Sequence, residues 1–179
     1  MSTAKFTESS LEDAIIEQLV DLGYEYAIDT DQWMITRPLG AFINEDLLLS
    51  SLMKINAGVK VSVLEQAISA LKNIDNPSLF ERNHIVHNWL VDGIQVEDYD
   101  AEVNPLVKFI DFENIDKNTF QVANQLKFKE NRNLRIPDVI IYVNGIPLVV
   151  FELKSIEYDE DTFIDRAYEQ LGRNSEADG

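Results

Sequence analysis

Residues 137–154 read PDVIIYVNGIPLVVFELK and predict a buried β-hairpin with charged side chains at its open end. Two apolar runs rich in Val and Ile flank residues 144–145, and Asn-Gly between such runs is a strong hairpin signal. Asp138 begins the first run, and Glu152 and Lys154 end the second. Charges beside a buried sheet are costly unless they are paired or bind a metal. This cost is the first indication of a functional site.

The register of the hairpin determines whether these charges meet, because side chains alternate between faces and directly opposed residues share a face. A two-residue loop at Asn-Gly would place Asp138 opposite Phe151 and turn Glu152 to the other face. A three-residue loop, residues 144–146, would place Asp138 opposite Glu152, with Lys154 on the same face. A type I turn followed by a left-handed Gly makes such a loop common. We therefore predict a loop of odd length or an equivalent bulge.

Two opposed carboxylates suit a divalent cation. At a separation of about 5 Å they would repel each other by about 3 kcal/mol at an effective dielectric constant of about 20. The chain has no Cys, and hard oxygen ligands favour Mg²⁺ over zinc. A nearby Lys can orient an attacking water or stabilise charge that develops on a phosphate. The cluster therefore indicates metal-assisted phosphodiester hydrolysis.

The same residues resemble a known nuclease motif. Residues 137–138 (Pro-Asp) followed by 152–154 (Glu-Leu-Lys) are similar to the PD-(D/E)xK pattern. Residues 104–110 (NPLVKFI), 124–125 (Asn-Gln) and 143–154 resemble the N-terminal region of the R (restriction) subunit of type I restriction-modification enzymes. The opening residues 8–12 and 22–24 also fit that family's first helix, so the resemblance covers most of the chain.

This resemblance implies roles for individual residues. Asp138 and Glu152 would bind metal, and Lys154 would be catalytic. A Glu of the first helix often completes such metal sites, and we assign this role to Glu12. Glu8 and Glu17 are the alternatives for this metal ligand of the first helix.

A fourth catalytic candidate follows the hairpin. The family carries a helical Gln-x-x-x-Tyr element after the second strand, and Gln170 matches the start of that element. Asn174 stands where the Tyr is expected. The resemblance therefore implies a catalytic role for Gln170 and leaves the role of the Tyr unassigned.

The resemblance also implies a fold and a molecular context. We expect an α/β domain with a mixed central sheet flanked by helices, a restriction-endonuclease-like core with a helical insertion. Residues 1–179 would form one nuclease domain, with the insertion at about 24–103 and the core sheet and closing helix at 104–171. It would be part of a larger ATP-dependent motor subunit, so ATP would bind elsewhere in that subunit. Expected partners are double-stranded DNA and the methyltransferase and specificity subunits.

Periodicity predicts the individual elements. Apolar spacing indicates a first helix with Ser9 or Ser10 as its N-cap and Gly23 as its stop. The predicted helices are 10–22, 44–55, 62–72, 78–90 and 162–171, and the predicted strands are 33–37, 106–112, 120–128, 138–143 and 147–154.

Composition limits the possible functions. The net charge of −17 argues against a simple DNA-binding module, since such modules carry a basic patch. The basic side chains near the predicted site are Lys127, Lys129, Arg132 and Arg135. No apolar run approaches the roughly 20 residues that span a bilayer, so we expect a cytoplasmic protein without membrane contact. Alternative functions are a silent acidic interaction or DNA-mimic domain, and a stand-alone repair nuclease of the same superfamily.

Overall fold

The computed structural model of the chain describes residues 7–76 and 78–154, with the Glu130 side chain excepted. The helices of this part are α1 (Glu8–Asp21), α2 (Ala27–Thr30), α3 (Gln32–Thr36), α4 (Glu45–Ile55), α5 (Val61–Lys72) and α6 (Leu79–Asp92). The strands are β1 (Glu25–Tyr26), β2 (Ile94–Gln95), β3 (Leu106–Val107), β4 (Phe120–Asn124), β5 (Phe128–Glu130), β6 (Asn133–Arg135), β7 (Val139–Val143) and β8 (Ile146–Phe151). Among these residues, none of the helices has the length and apolar character that a bilayer crossing requires.

The central sheet contains four strands in the order β1-β4-β7-β8. β1 runs parallel to β4, whereas β4, β7 and β8 pair antiparallel. Two small ribbons, β2–β3 and β5–β6, lie outside this sheet. The predicted α/β class with a mixed sheet and helices is confirmed. β1 belongs to the sheet although it lies in the segment that we assigned to the insertion.

The β7–β8 hairpin uses a two-residue turn and a bulge. Asn144 and Gly145 have φ values of 53° and 82°, as a type I′ turn requires. Next to the turn Val143 therefore pairs with Ile146, but farther along Val139 pairs with Phe151, because the register shifts by one residue between them. The predicted three-residue loop is wrong, and the predicted alternative, an equivalent bulge, is confirmed.

The turn is anchored inside the protein rather than exposed. Asn144 is fully buried, and its side-chain Nδ2 donates to the carbonyl of Phe109 and to Asn118 Oδ1, each at 2.9 Å. The Thr119 N–H donates to Asn144 Oδ1 at 2.7 Å. The Gly145 carbonyl accepts from the Asn44 N–H at 2.9 Å, just before α4. These bonds fix the turn end of the hairpin.

Apolar side chains form two cores on the two sides of this hairpin. The larger core contains residues of α4 and α5 together with the hairpin residue Ile146. The smaller core packs Tyr142 and Ile140 of β7 against Ala27 and Met34 of the short helices α2 and α3. The five residues of β7 are all buried, which explains why their sequence shows no alternation.

Several predicted boundaries were wrong for local reasons. Residues 33–37 were predicted as a strand but belong mostly to α3, because the Asp31 carboxylate accepts from the Trp33 N–H and caps a helix there. The predicted strand 106–112 is regular only at residues 106–107, since the chain after it folds around the buried Asp111 side chain.

The first helix begins earlier than predicted. Thr7, not Ser9 or Ser10, is its N-cap, and its hydroxyl accepts from the Ser10 N–H. The predicted stop at Gly23 is confirmed, because Gly23 has a φ of 94° and completes the hydrogen bonds of a Schellman ending. The predicted closing helix 162–171 lies outside the described residues.

Candidate active site

Asp138 lies at the open end of the hairpin and is held from both neighbouring strands. Its carbonyl accepts from the Gln125 N–H at 3.1 Å, at the end of β4. Its carboxylate Oδ2 accepts from the Leu153 N–H at 2.6 Å, just after β8. One oxygen of this half-buried carboxylate is therefore fixed by the backbone of the Glu-Leu-Lys segment.

Glu12 reaches the same place from α1. Its Oε2 accepts from Gln125 Nε2 at 2.9 Å, and the same Nε2 donates to Asp138 Oδ1 at 3.3 Å. The second oxygen, Glu12 Oε1, accepts from Asn124 Nδ2 at 2.5 Å. Glu12 is half-buried, whereas the alternative Glu17 is exposed. The structure thus places the predicted first-helix Glu beside Asp138, with one amide group between the two carboxylates.

A tyrosine supports this arrangement from β1. The Tyr26 hydroxyl donates to Asn124 Oδ1 at 2.7 Å, which orients the Asn124 amide so that its Nδ2 faces Glu12. Burial raises the pKa of Tyr26, and the nearby carboxylates of Asp29 and Glu12 raise it further. Tyr26 therefore remains a protonated donor at neutral pH.

Glu152 and Lys154 come directly after β8, and the bulge determines the face of the sheet to which their side chains point. The paired ladder ends at Val139–Phe151, and continuing its register by one position would place Asp138 opposite Glu152. Lys154 Nζ lies 3.5 Å from Glu152 Oε1, and their side chains are 31% and 48% exposed. Such a half-exposed ion pair contributes little to stability, so its Lys can turn toward another anion at low cost.

The donor types fit a hard divalent cation. Glu12, Asp138 and Glu152 supply carboxylate oxygens, the ligands that Mg²⁺ prefers. One oxygen each of Glu12 and Asp138 lies within hydrogen-bonding distance of the same Gln125 nitrogen, so these two oxygens face a common point. In the described residues, however, no three acidic or His side chains lie close enough together to hold a metal ion. The carboxylates of Glu12 and Asp138 are therefore arranged around the side-chain amide of Gln125.

Two residues of this site were not predicted as site members. Asn124 and Gln125 end β4, and the apolar alternation of residues 120–128 predicted one continuous strand instead. Gln125 has a φ of 51°, which ends the strand and turns the chain. The sequence held two signals for them, a pair of amides within an apolar run and the resemblance of residues 124–125 to the R subunit family.

The basic residues near the site lie along the β5–β6 ribbon and do not form one patch. Lys129 is on β5 and Arg135 on β6, and Arg132 lies in the turn between these strands. Lys129 pairs with Leu134 and Arg135 pairs with Phe128, so the two basic side chains point to opposite faces. Gln170 lies outside the described residues.

A cavity of about 390 Å³ adjoins the site. It is lined mainly by apolar side chains, including Ile28 and Met34, and by Gln125, Lys127 and Arg37. The buried Arg37 donates to the Lys127 carbonyl at 2.8 Å and to the Ala41 carbonyl at 2.9 Å, so it fixes the chain that leaves β4.

Comparison with known families relates nearly the whole chain to one family. The model of the family described as "Type I restriction enzyme R protein N terminus" matches residues 5–178, nearly the whole chain. The chain belongs to this family. The predicted membership in the N-terminal domain of the R subunit is thereby confirmed.

Curated relatives of the chain carry matching names. The chain is 33% identical over 161 residues to an endonuclease subunit named for the type I restriction enzyme MjaIXP of Methanocaldococcus jannaschii, covering 85% of the chain and 16% of the relative. It is 31% identical over 159 residues to the HindI endonuclease subunit of Haemophilus influenzae, covering 83% of the chain and 15% of the relative. The chain thus spans about a sixth of the length of these relatives. Both relatives are named as endonuclease subunits of type I restriction enzymes.

Proposed function

We propose that this chain is the metal-dependent nuclease domain of a type I restriction enzyme and cleaves double-stranded DNA. The observation that carries the proposal is the meeting of Glu12 and Asp138 at one Gln125 amide, at the end of the hairpin that also carries Glu152 and Lys154. The domain would have a restriction-endonuclease-like core with a helical insertion, and the insertion would begin after β1, which belongs to the central sheet.

In this proposal Glu12, Asp138 and Glu152 would hold Mg²⁺, and the ion would supply an activated water and stabilise negative charge on the phosphate. Lys154 lies beside Glu152, and its ammonium can hold the attacking water or the phosphate oxygens. The Leu153 N–H keeps Asp138 oriented toward the shared point. Gln170 completes the proposed catalytic group, on the resemblance of residues 167–170 to the family motif.

The charge of the domain indicates how DNA would reach the site. With a net charge of −17, the chain repels DNA at long range, so we propose that other parts of the enzyme deliver the substrate. In this proposal the R subunit also carries an ATP-dependent motor, and methyltransferase and specificity subunits complete the complex. The β5–β6 ribbon, with its exposed Lys and Arg side chains, is the proposed contact with phosphates near the site.

The decisive experiment uses the complete R subunit assembled with its partner subunits. Lys154→Ala should reduce cleavage of a supercoiled plasmid by about 10²- to 10³-fold, the usual effect of removing one group that stabilises transition-state charge, and should leave ATP hydrolysis unchanged. Lys54→Ala, on the exposed side of α4, is the matched control. Unchanged cleavage in Lys154→Ala would reject the mechanism and favour the rival function, a silent acidic interaction domain, which the net charge of −17 supports.

A further inference from the structure

One nitrogen holds two carboxylates at the proposed site. Gln125 Nε2 donates to Glu12 Oε2 at 2.9 Å and to Asp138 Oδ1 at 3.3 Å. Two carboxylates that face one point repel each other, and an N–H donor between them replaces repulsion by two charge-assisted hydrogen bonds. The amide thus performs, without a metal, part of what a cation would do there.

The backbone at Gln125 is arranged for this contact. Its φ of 51° lies in the left-handed region, which residues other than Gly, Asn and Asp seldom adopt. Its N–H nevertheless donates to the Asp138 carbonyl at 3.1 Å, so β4 remains attached to the strand that carries Asp138. A strained residue that contacts a candidate site by both its backbone and its side chain indicates a functional constraint.

The amide and a cation cannot occupy the shared point together. Mg²⁺ requires ligand oxygens at about 2.0–2.1 Å, and an N–H group directed at the same oxygens would be repelled by the ion. The Gln125 side chain is exposed and lines the adjoining cavity of about 390 Å³, so it has room to move aside. Asn124 can stay, because it contacts the other oxygen of Glu12.

We propose that Gln125 is a positioning residue whose amide clasps Glu12 and Asp138 in the metal-free protein and gives way to the divalent cation. This inference rests on the proposed function, since it requires a metal at these carboxylates. The clasp stabilises only the metal-free state, so by linkage it weakens metal binding while it keeps the two ligands together.

The test measures Mn²⁺ binding by electron paramagnetic resonance and thermal unfolding of the 179-residue chain with and without Mn²⁺. Gln125→Ala should lower the melting temperature by a few degrees without metal, because the carboxylates lose their shared donor. Saturating Mn²⁺ should abolish that deficit, and the Mn²⁺ affinity should rise by at least about tenfold, because two hydrogen bonds to charged groups no longer stabilise the metal-free state. Gln125→Glu, which adds a carboxylate and cannot donate, should shift both quantities further in the same directions.

The controls distinguish the proposed metal site from the proposed role of Gln125. Gln66→Ala, at an exposed position of α5, should leave both measurements unchanged. If wild type and Asp138→Asn bind Mn²⁺ equally, the proposed metal site is rejected. If Mn²⁺ binding depends on Asp138 but Gln125→Ala binds equally or more weakly, or keeps its thermal deficit in Mn²⁺, the metal site stands and the clasp is rejected.

Discussion

Asp138 Oδ2 accepts a hydrogen bond from the Leu153 N–H at 2.6 Å, so the first acid of the motif is tied to the segment that carries the second acid and the Lys. Asp138→Asn can keep this bond through its carbonyl oxygen, whereas Asp138→Ala leaves the N–H without its acceptor. We expect the Ala variant to be about 1 kcal/mol less stable than the Asn variant, measured by urea unfolding.

Both Asp138 variants should lose Mn²⁺ binding, because each removes the charge that the proposed site needs. Equal stability of the two variants would show that the Leu153 N–H finds another acceptor, in which case Asp138 has only an electrostatic role.

The bulge in β8 provides a test of register. Deleting Leu148 removes the extra residue but leaves Asp138 opposite Glu152, so we expect a folded protein that still binds Mn²⁺. Deleting both Leu148 and Val149 moves the strand by one further position, places Glu152 opposite Val139 and turns it to the other face. The double deletion should therefore lose Mn²⁺ affinity while circular dichroism still reports a folded chain. Loss of affinity in the single deletion would mean that the local twist of the bulge, rather than the register, positions Glu152.

Gly145 is constrained by space as well as by its backbone. It has a φ of 82°, and a Cβ atom there would lie 2.5 Å from the Asn44 carbonyl oxygen and 3.1 Å from the Leu48 nitrogen. We expect Gly145→Ala to cost about 3 kcal/mol of unfolding free energy, from backbone strain and displacement of α4. Gly58 has a similar φ of 90° but open space around it, so Gly58→Ala should cost only about 1 kcal/mol. Similar urea midpoints for the two variants would contradict this explanation.

Asp111 should make the stability of the fold depend on acid pH. The Asn114 N–H, and then the Lys117 ammonium at 3.0 Å, hold the pKa of its buried carboxylate well below the usual range. A group with a lowered folded-state pKa contributes its full stability above its unfolded pKa of about 4 and loses it as the pH falls below that value.

The stability difference between wild type and Asp111→Asn should therefore shrink as the pH falls from about 5 to about 3. Urea unfolding at several pH values measures this difference. Asp116→Asn, an exposed acid of the same turn, controls for the loss of one negative charge. A difference that stays constant over this range would contradict the assigned role of the Asp111 carboxylate.

The sequence was sufficient to predict the hairpin and the register at its open end, because Asn-Gly and the Val- and Ile-rich runs are strong local signals. It was not sufficient to distinguish a longer loop from a bulge. Residues 146–151 are all apolar, so no alternation of polar and apolar side chains marks the position where Leu148 shifts the register.

The sequence also concealed the end of β4. Leu126 and Phe128 are both buried and continue the apolar alternation past Gln125, so the pattern indicated one strand. Only the left-handed backbone of Gln125 breaks that strand, and an amide residue gives no sequence signal for this conformation. Glu12 could be predicted because a carboxylate has an expected role in such a site, whereas the amides of residues 124–125 have none.

The buried turn at Asn144 reverses the usual distribution of flexibility in a hairpin. Most hairpins are loosest at an exposed turn, but here the amide protons of Asn144, Thr119 and Asn44 are all bonded around the turn. At the opposite end the backbone ladder stops at the Val139–Phe151 pair. Amide hydrogen exchange should therefore be slower at the turn than at Glu152 and Lys154, while the bond from the Leu153 N–H to Asp138 slows exchange at that one amide. The charged ends can then adjust their spacing to a cation or a phosphate without any opening of the core.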